Sequence, residues 1–330
     1  MSLEHVRGIQ DALVIFSHSY YDVNVNQLIE KIDFCRVLQI FYPYSVQAFP
    51  NEFPGLSSND CPQFMNIRDA EKLNCIGALT PDIHGHYRNP AHSEKKHHWW
   101  WTANRVFDNL TSAENHEGLV IFLEDEVYLL EDFLYMALYM DKAARKQNHC
   151  EFVCLGFDSG ARLTGDNMYE AMITTWDSKH YSPALAFDII TWNSIVSHYD
   201  LFCGIDDYSW LRSLFYLSVS RRDAGMFRVI SSLVPRAVKL TFNGMFRSVT
   251  DYFILEKIFG ILDAQKSCVD ELFPPYLEIF TDIEMEQDEP IFDFAESKGG
   301  WSDPRDKGFC LNMTMHKIRR VLMDTEIVFQ

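Results

Sequence analysis

The sequence predicts an α/β fold with a mostly parallel sheet, and three observations predict it. Apolar runs of strand length recur, stretches with helical spacing separate them, and one strand-like run stops abruptly in charge. The first run is "DALVIFSH", Asp11–His18, with its apolar centre bounded by polar residues. Asn24–Ile32 follows with helical spacing, and "CRVLQIFYPYS", Cys35–Ser45, reads as a second strand. "GLVIFLEDE", Gly118–Glu126, is a third, and Leu129–Lys146 returns to helical spacing. "CEFVCLGF", Cys150–Phe157, and "PALAFDIITW", Pro183–Trp192, complete the series. The division that fits is a nucleotide-type α/β part over residues 1–165 and a more irregular part over 166–330.

The third run carries the chemistry. Leu123 leads directly into Glu124, Asp125 and Glu126. In open α/β sheets ligands bind beyond the carboxyl ends of strands, and carboxylates there hold a hard divalent cation that neutralises a diphosphate. An acidic, solvated helix start is the plain alternative for the same tripeptide.

Composition bounds the partners. The 330 residues are 47% hydrophobic, 23% charged and 14% aromatic, which is globular, and the net charge of −18 argues against nucleic acid. The start, MSLEHVRGIQ, lacks the apolar core of a signal peptide, and no apolar run is long enough to span a bilayer. Those features alone read as a soluble intracellular chain. Eight cysteines and two sequons, Asn109-Leu110-Thr111 and Asn312-Met313-Thr314, leave the compartment open.

Six longer strings go beyond pattern. In order they are "PNEFPG" (Pro50–Gly55), "GHYR" (Gly85–Arg88), "KHHWWW" (Lys96–Trp101), "FLEDE" (Phe122–Glu126), "FC" with "DDYSW" (Phe202–Trp210), and "GGWSDPRD" (Gly299–Asp306). Together they resemble the Golgi N-acetylglucosaminyltransferase II family, over nearly the whole chain. The resemblance implies a GT-A glycosyltransferase fold, UDP-GlcNAc as donor, Mn2+ as cofactor, and inverting transfer to the 2-hydroxyl of the α-1,6-arm mannose of an N-glycan. It also implies the lumenal side of the Golgi membrane, with the family's anchor and first strand expected upstream of Met1.

Roles follow position by position. The resemblance assigns Lys96, His97, His98, Arg162 and Ser19 to the donor, the last standing where the family has an aspartate. It assigns Glu124, Trp210 and Tyr208 to the acceptor. It places Glu126 at the metal-binding aspartate and Lys239 at the family's second metal ligand, a histidine. A charged ammonium has no lone pair for a metal. Leu211 stands at the family's base position, leaving Asp207, or its neighbour Asp206, as a substitute base. Cys61 with Cys75 and Cys203 with Cys310 match two family disulfides, while two further family bridges have lost their cysteines, one of them both partners, at His198 and Arg221. These departures fall on the chemistry. They set a divergent transferase against a catalytically impaired relative that binds a glycan or a partner transferase, with a metal-dependent hydrolase as a weaker third.

Overall fold

The computed structural model describes residues 2–108, 110, 116–124, 126–146, 150–156, 167–221, 225–240, 251–281 and 291–314. Strand β1 (Leu13–His18) and strand β2 (Arg36–Phe41) pair in parallel, in the register Leu13↔Arg36 to His18↔Phe41. Helix α1 (Val23–Ile29) joins them and starts on Asp22, whose carboxylate accepts from the backbone N–H of Asn24 and Val25. A short helix α2 (Ile67–Leu73) and the long helix α3 (Pro90–Asp108) follow.

The second layer is a six-stranded sheet. Strand β3 (Val120–Leu123) lies at one edge, then a short β4 (Val127–Leu129) leaves the sheet and helix α4 (Phe133–Ala144) crosses it. Strands β5 (Phe152–Cys154), β6 (Glu170–Thr175) and β7 (Ala184–Phe187) come next, then helices α5 (Ile189–Val196), α6 (Tyr199–Gly204) and α7 (Trp210–Ser220). Strands β8 (Arg228–Ser232) and β9 (Ala237–Lys239), helix α8 (Asp251–Ser267) and strand β10 (Glu278–Thr281) complete the named elements, and residues 304–314 are helical. The strand order is β10-β6-β8-β5-β7-β3. Strand β8 runs parallel to β5, and β10 parallel to β6, while β7 runs against both β5 and β3, and β6 against β8.

The α/β class stands as expected, with helices flanking a central sheet consistent with a GT-A-like fold. Antiparallel pairings at β7 and at β6–β8 make that sheet mixed in direction. Strands from before and after residue 165 share it, so the two expected parts meet in one sheet.

The period of two along the strands sorts the core. Phe152, Cys154, Leu185, Phe187 and Val229 face an aromatic layer of Trp99, Trp100, Trp192, Phe202 and Trp301. Their neighbours Val153, Leu155, Ala184, Ala186 and Ile230 face Phe133, Met136 and Met140 of α4. Both disulfides implied by the resemblance are formed, Cys61–Cys75 and Cys203–Cys310. The second ties α6 to the 304–314 helix. In that helix Asn312 is exposed, but the Thr314 hydroxyl is buried and accepts from Trp100 Nε1 at 2.9 Å. The other sequon lies outside the described residues, at Asn109 and Thr111. No helix among the described residues is long and apolar enough to cross a membrane.

Candidate functional site

The acidic run turns the chain out of the sheet. Glu124 follows the last residue of β3, and its backbone N–H donates to Pro183 O at 3.4 Å. Glu126 takes a left-handed conformation, φ 61°, which a residue with a Cβ adopts only where its surroundings impose it. That turn delivers the chain into β4, whose antiparallel partner is β9 in the register Val127↔Lys239. Leu240 N–H closes the corner by donating to Glu126 O at 2.8 Å. The register therefore carries Lys239 back to the acidic run. Its ammonium lies 2.9 Å from Glu124 Oε2, with the two side chains 18% and 22% exposed.

An aromatic wall leads away from this corner. Phe122, two residues before Glu124, has its ring 5.5 Å from Trp99 of α3. Trp99 in turn stacks on Trp210, with centroids 4.3 Å apart and planes 7° from parallel. Trp210 opens α7, whose N-cap Ser209 accepts from Arg212 N–H. Tyr208, just before it, stacks on His92 at 4.6 Å. Glu124 is thus linked to Trp210 through Phe122 and Trp99, with Tyr208 two residues before Trp210 in the chain. Leu211, like Trp210, packs against the aromatic core.

Asp207 does not stand as a substitute base. Its side chain is wholly buried, and its carboxylate accepts from Ser209 N–H, Lys298 N–H, Ser297 Oγ and Arg212 Nε, at 2.8–3.1 Å. A carboxylate so committed anchors the loop between α6 and α7 and cannot meet an incoming hydroxyl. Asp206 is likewise occupied, by the backbone N–H groups of Ile83 and Trp301.

The expected donor residues separate. Lys96 is fully buried; its ammonium donates to Asp207 O at 3.0 Å and Ile205 O at 3.3 Å, and lies 4.2 Å from the Trp301 ring centroid. Burial pushes its pKa well down. His97 is buried too, with Nε2 2.8 Å from Asp306 Oδ1, and Arg88 Nε donates to the other oxygen at 2.6 Å. Lys96 and His97 therefore hold the core together rather than face a donor. Helical periodicity decides this, since both lie on the buried side of α3 with Ser93, Trp100 and Ala103.

His98 points elsewhere. Its Nε2 lies 2.7 Å from Ser17 Oγ of β1, which also bonds Thr102 Oγ1 at 2.7 Å. Burial, with His18 adding to it, lowers its pKa to about 4, so the ring is neutral. Ser19 follows β1 and is half-buried beside this group. Here the structure adds residues the sequence reading missed. His18 Nε2, Gln39 Oε1 and Tyr42 Oη are buried without a hydrogen-bond partner among the described residues. Tyr42 also packs 5.4 Å from His98. The signal that finds them is positional: His18 ends β1 and Tyr42 follows β2, at the carboxyl ends where α/β sheets bind ligands. Arg162 and Asp125 lie outside the described residues.

Mn2+ held as in the resembling family does not fit this donor set. Lys239 brings a cation to the place of the second ligand, and its ammonium is already paired with a carboxylate of the acidic run. Among the described residues no group of three or more His, Cys, Asp or Glu converges as a metal site.

A family model of N-acetylglucosaminyltransferase II (MGAT2) matches residues 1–310. The chain is 34% identical over 318 residues to the alpha-1,6-mannosyl-glycoprotein 2-beta-N-acetylglucosaminyltransferase of Mus musculus, covering 94% of this chain and 69% of that protein. The Homo sapiens protein of the same name is 34% identical over 312 residues, covering 94% and 68%. Its Arabidopsis thaliana namesake is 32% identical over 209 residues, covering 63% and 46%. With matches of that extent, this chain belongs to the N-acetylglucosaminyltransferase II family.

Proposed function

We propose that this chain transfers N-acetylglucosamine from UDP-GlcNAc to the 2-hydroxyl of the α-1,6-arm mannose of an N-glycan, on the lumenal side of the Golgi membrane. The observation that carries the reading is the Glu124–Lys239 pair at the end of β3, joined through Phe122 and Trp99 to the Trp210 indole. A carboxylate, a cation and an aromatic platform are what a sugar hydroxyl, a diphosphate and a pyranose ring face require. The two disulfides accord with an oxidising lumen.

In this mechanism the mannose lies with its apolar face toward Trp210, flanked by Tyr208. Glu124 accepts the hydrogen bond of the 2-hydroxyl and takes its proton as the oxygen bonds to the anomeric carbon from the face opposite UDP. The bond from that carbon to the β-phosphate oxygen breaks, and its electron pair leaves with UDP. Glu124 takes this part because Leu211 has no basic atom and Asp207 is buried and bonded. Protonating Glu124 also removes the partner charge of Lys239 just as negative charge grows on the departing diphosphate. His98, Ser19, His18 and Tyr42 line the nucleotide end of the cleft.

The test is transfer of labelled GlcNAc to a mannose-terminated N-glycan by the chain and by its Glu124→Gln variant. The reading expects transfer, reduced at least about 100-fold by the substitution. Equal rates for the two proteins would remove Glu124 as the base. One observation favours a second reading: the carboxylate retained in the "DDYSW" loop at Asp207 serves structure alone. A glycan-binding relative without turnover fits that, and it predicts glycan binding lost in Trp210→Ala with no transfer by either protein.

A further inference from the structure

The geometry points to Lys239 as a built-in counter-charge: its ammonium takes the place of a divalent cation against the diphosphate, so donor binding here does not require a metal. This rests on the proposed nucleotide-sugar site and goes beyond it by assigning that site's cation. Three observations carry it. The β4–β9 register fixes Lys239 opposite Val127, next to the turn made by Glu126. The ammonium is held to Glu124 Oε2 at 2.9 Å, so its position is set before any ligand arrives. And both side chains are largely shielded, at 18% and 22% exposed, where water screens a charge less than at the surface.

The chemistry is specific to an ammonium. It carries three N–H donors and no lone pair, so it can bond Glu124 and a phosphate oxygen together but cannot ligate Mn2+ while charged. A cation placed beside Glu124 also repels a second cation from the same corner. The site is thereby committed to one solution: either the lysine is charged and serves the anion, or the corner is vacated and a metal enters.

The experiment measures UDP binding by calorimetry in EDTA and in MnCl2, beside Mn2+ uptake read from the electron paramagnetic resonance signal of free Mn2+. For the wild-type chain the two UDP affinities should agree within about fivefold, with the free-Mn2+ signal left intact by the protein. Lys239→His should lower UDP affinity in EDTA by about tenfold or more, recover it in MnCl2, and diminish the free-Mn2+ signal. Lys239→Arg should remain insensitive to EDTA. UDP affinity rising more than fivefold with Mn2+ in the wild type, or a wild-type chain that takes up one Mn2+, overturns the inference. A chain that binds no UDP in either buffer defeats the transferase reading instead. In that case Mn2+ uptake still decides this inference, since only the histidine variant should show it.

Discussion

Lys239 and Glu124 are 115 residues apart in sequence and 2.9 Å apart in space, joined because β9 returns along β4 to the carboxyl end of β3. A largely shielded pair of this kind contributes more than one exposed to water and less than a dry one. A double-mutant cycle with Glu124→Gln and Lys239→Met, read by urea denaturation, should give a coupling of about 1 kcal/mol. Additive single effects would mean the pair is not formed in solution.

Asp207 and Arg212 should behave as structure. Asp207→Ala takes the buried carboxylate from the Arg212 guanidinium, which keeps only Glu296 and Asp293 O, and leaves Ser209 and Lys298 N–H groups without their acceptor. The expected loss is about 3–5 kcal/mol in denaturant stability. Unchanged stability with a collapsed transfer rate would restore Asp207 as a base.

Two buried groups, Lys96 on α3 and Tyr42 just after β2, should separate cleanly. Lys96→Met removes two hydrogen bonds to loop carbonyls and should cost about 1–3 kcal/mol of stability, with UDP affinity unchanged within about twofold. Tyr42→Phe should do the reverse, weakening UDP binding with little change in stability, because the hydroxyl has no hydrogen-bond partner among the described residues. Calorimetry on both variants checks the contrast.

Acid should find His98. Its folded pKa of about 4 lies below the ordinary 6.5, so between those values the unfolded chain binds more protons than the folded one. The stability tied to its neutral ring is complete above about pH 6.5 and drains away as the pH falls toward 4, by at most roughly 3 kcal/mol. Denaturation midpoints of the wild type and His98→Gln across that window should show a shallower pH slope in the variant. Parallel curves would place the ring in water.

The Cys203–Cys310 bridge closes a loop of 107 residues between α6 and the last described helix. Chain entropy assigns such a loop about 4–5 kcal/mol. Cys203→Ala with Cys310→Ala should lower the denaturation midpoint more than Cys61→Ala with Cys75→Ala, whose loop spans 14 residues. The opposite ranking would count against the entropic account.

How legible all this was depends on where the information sat. The strands β1, β2, β3, β5 and β7 announced themselves because each lies in a predominantly apolar stretch of strand length. Strand β9 did not, being three residues long and defined by its partner β4. Helix α3 was masked in another way. Its buried positions include Ser93, Lys96, His97 and Asn104, so polarity hides the helical stripe. The polar groups there are hydrogen-bonded by partners far along the chain, Asp207 O for Lys96 and Asp306 for His97, which no local pattern reveals. The same non-locality explains Asp207: its acidic character was plain, but Arg212, Ser297 and Lys298 surround it only after folding. The family strings carried the site further than any periodicity, and they also carried Lys96 and His97 into a role that burial forbids.

The most direct measurement is a crystal structure of the chain with UDP bound. The account predicts a β-phosphate oxygen within hydrogen-bond distance of Lys239 Nζ, about 2.7–3.2 Å, with the nucleoside toward Ser19 and His98. UDP bound on another face of the molecule, or held through a metal ion on Glu126 with Lys239 turned away, would contradict it.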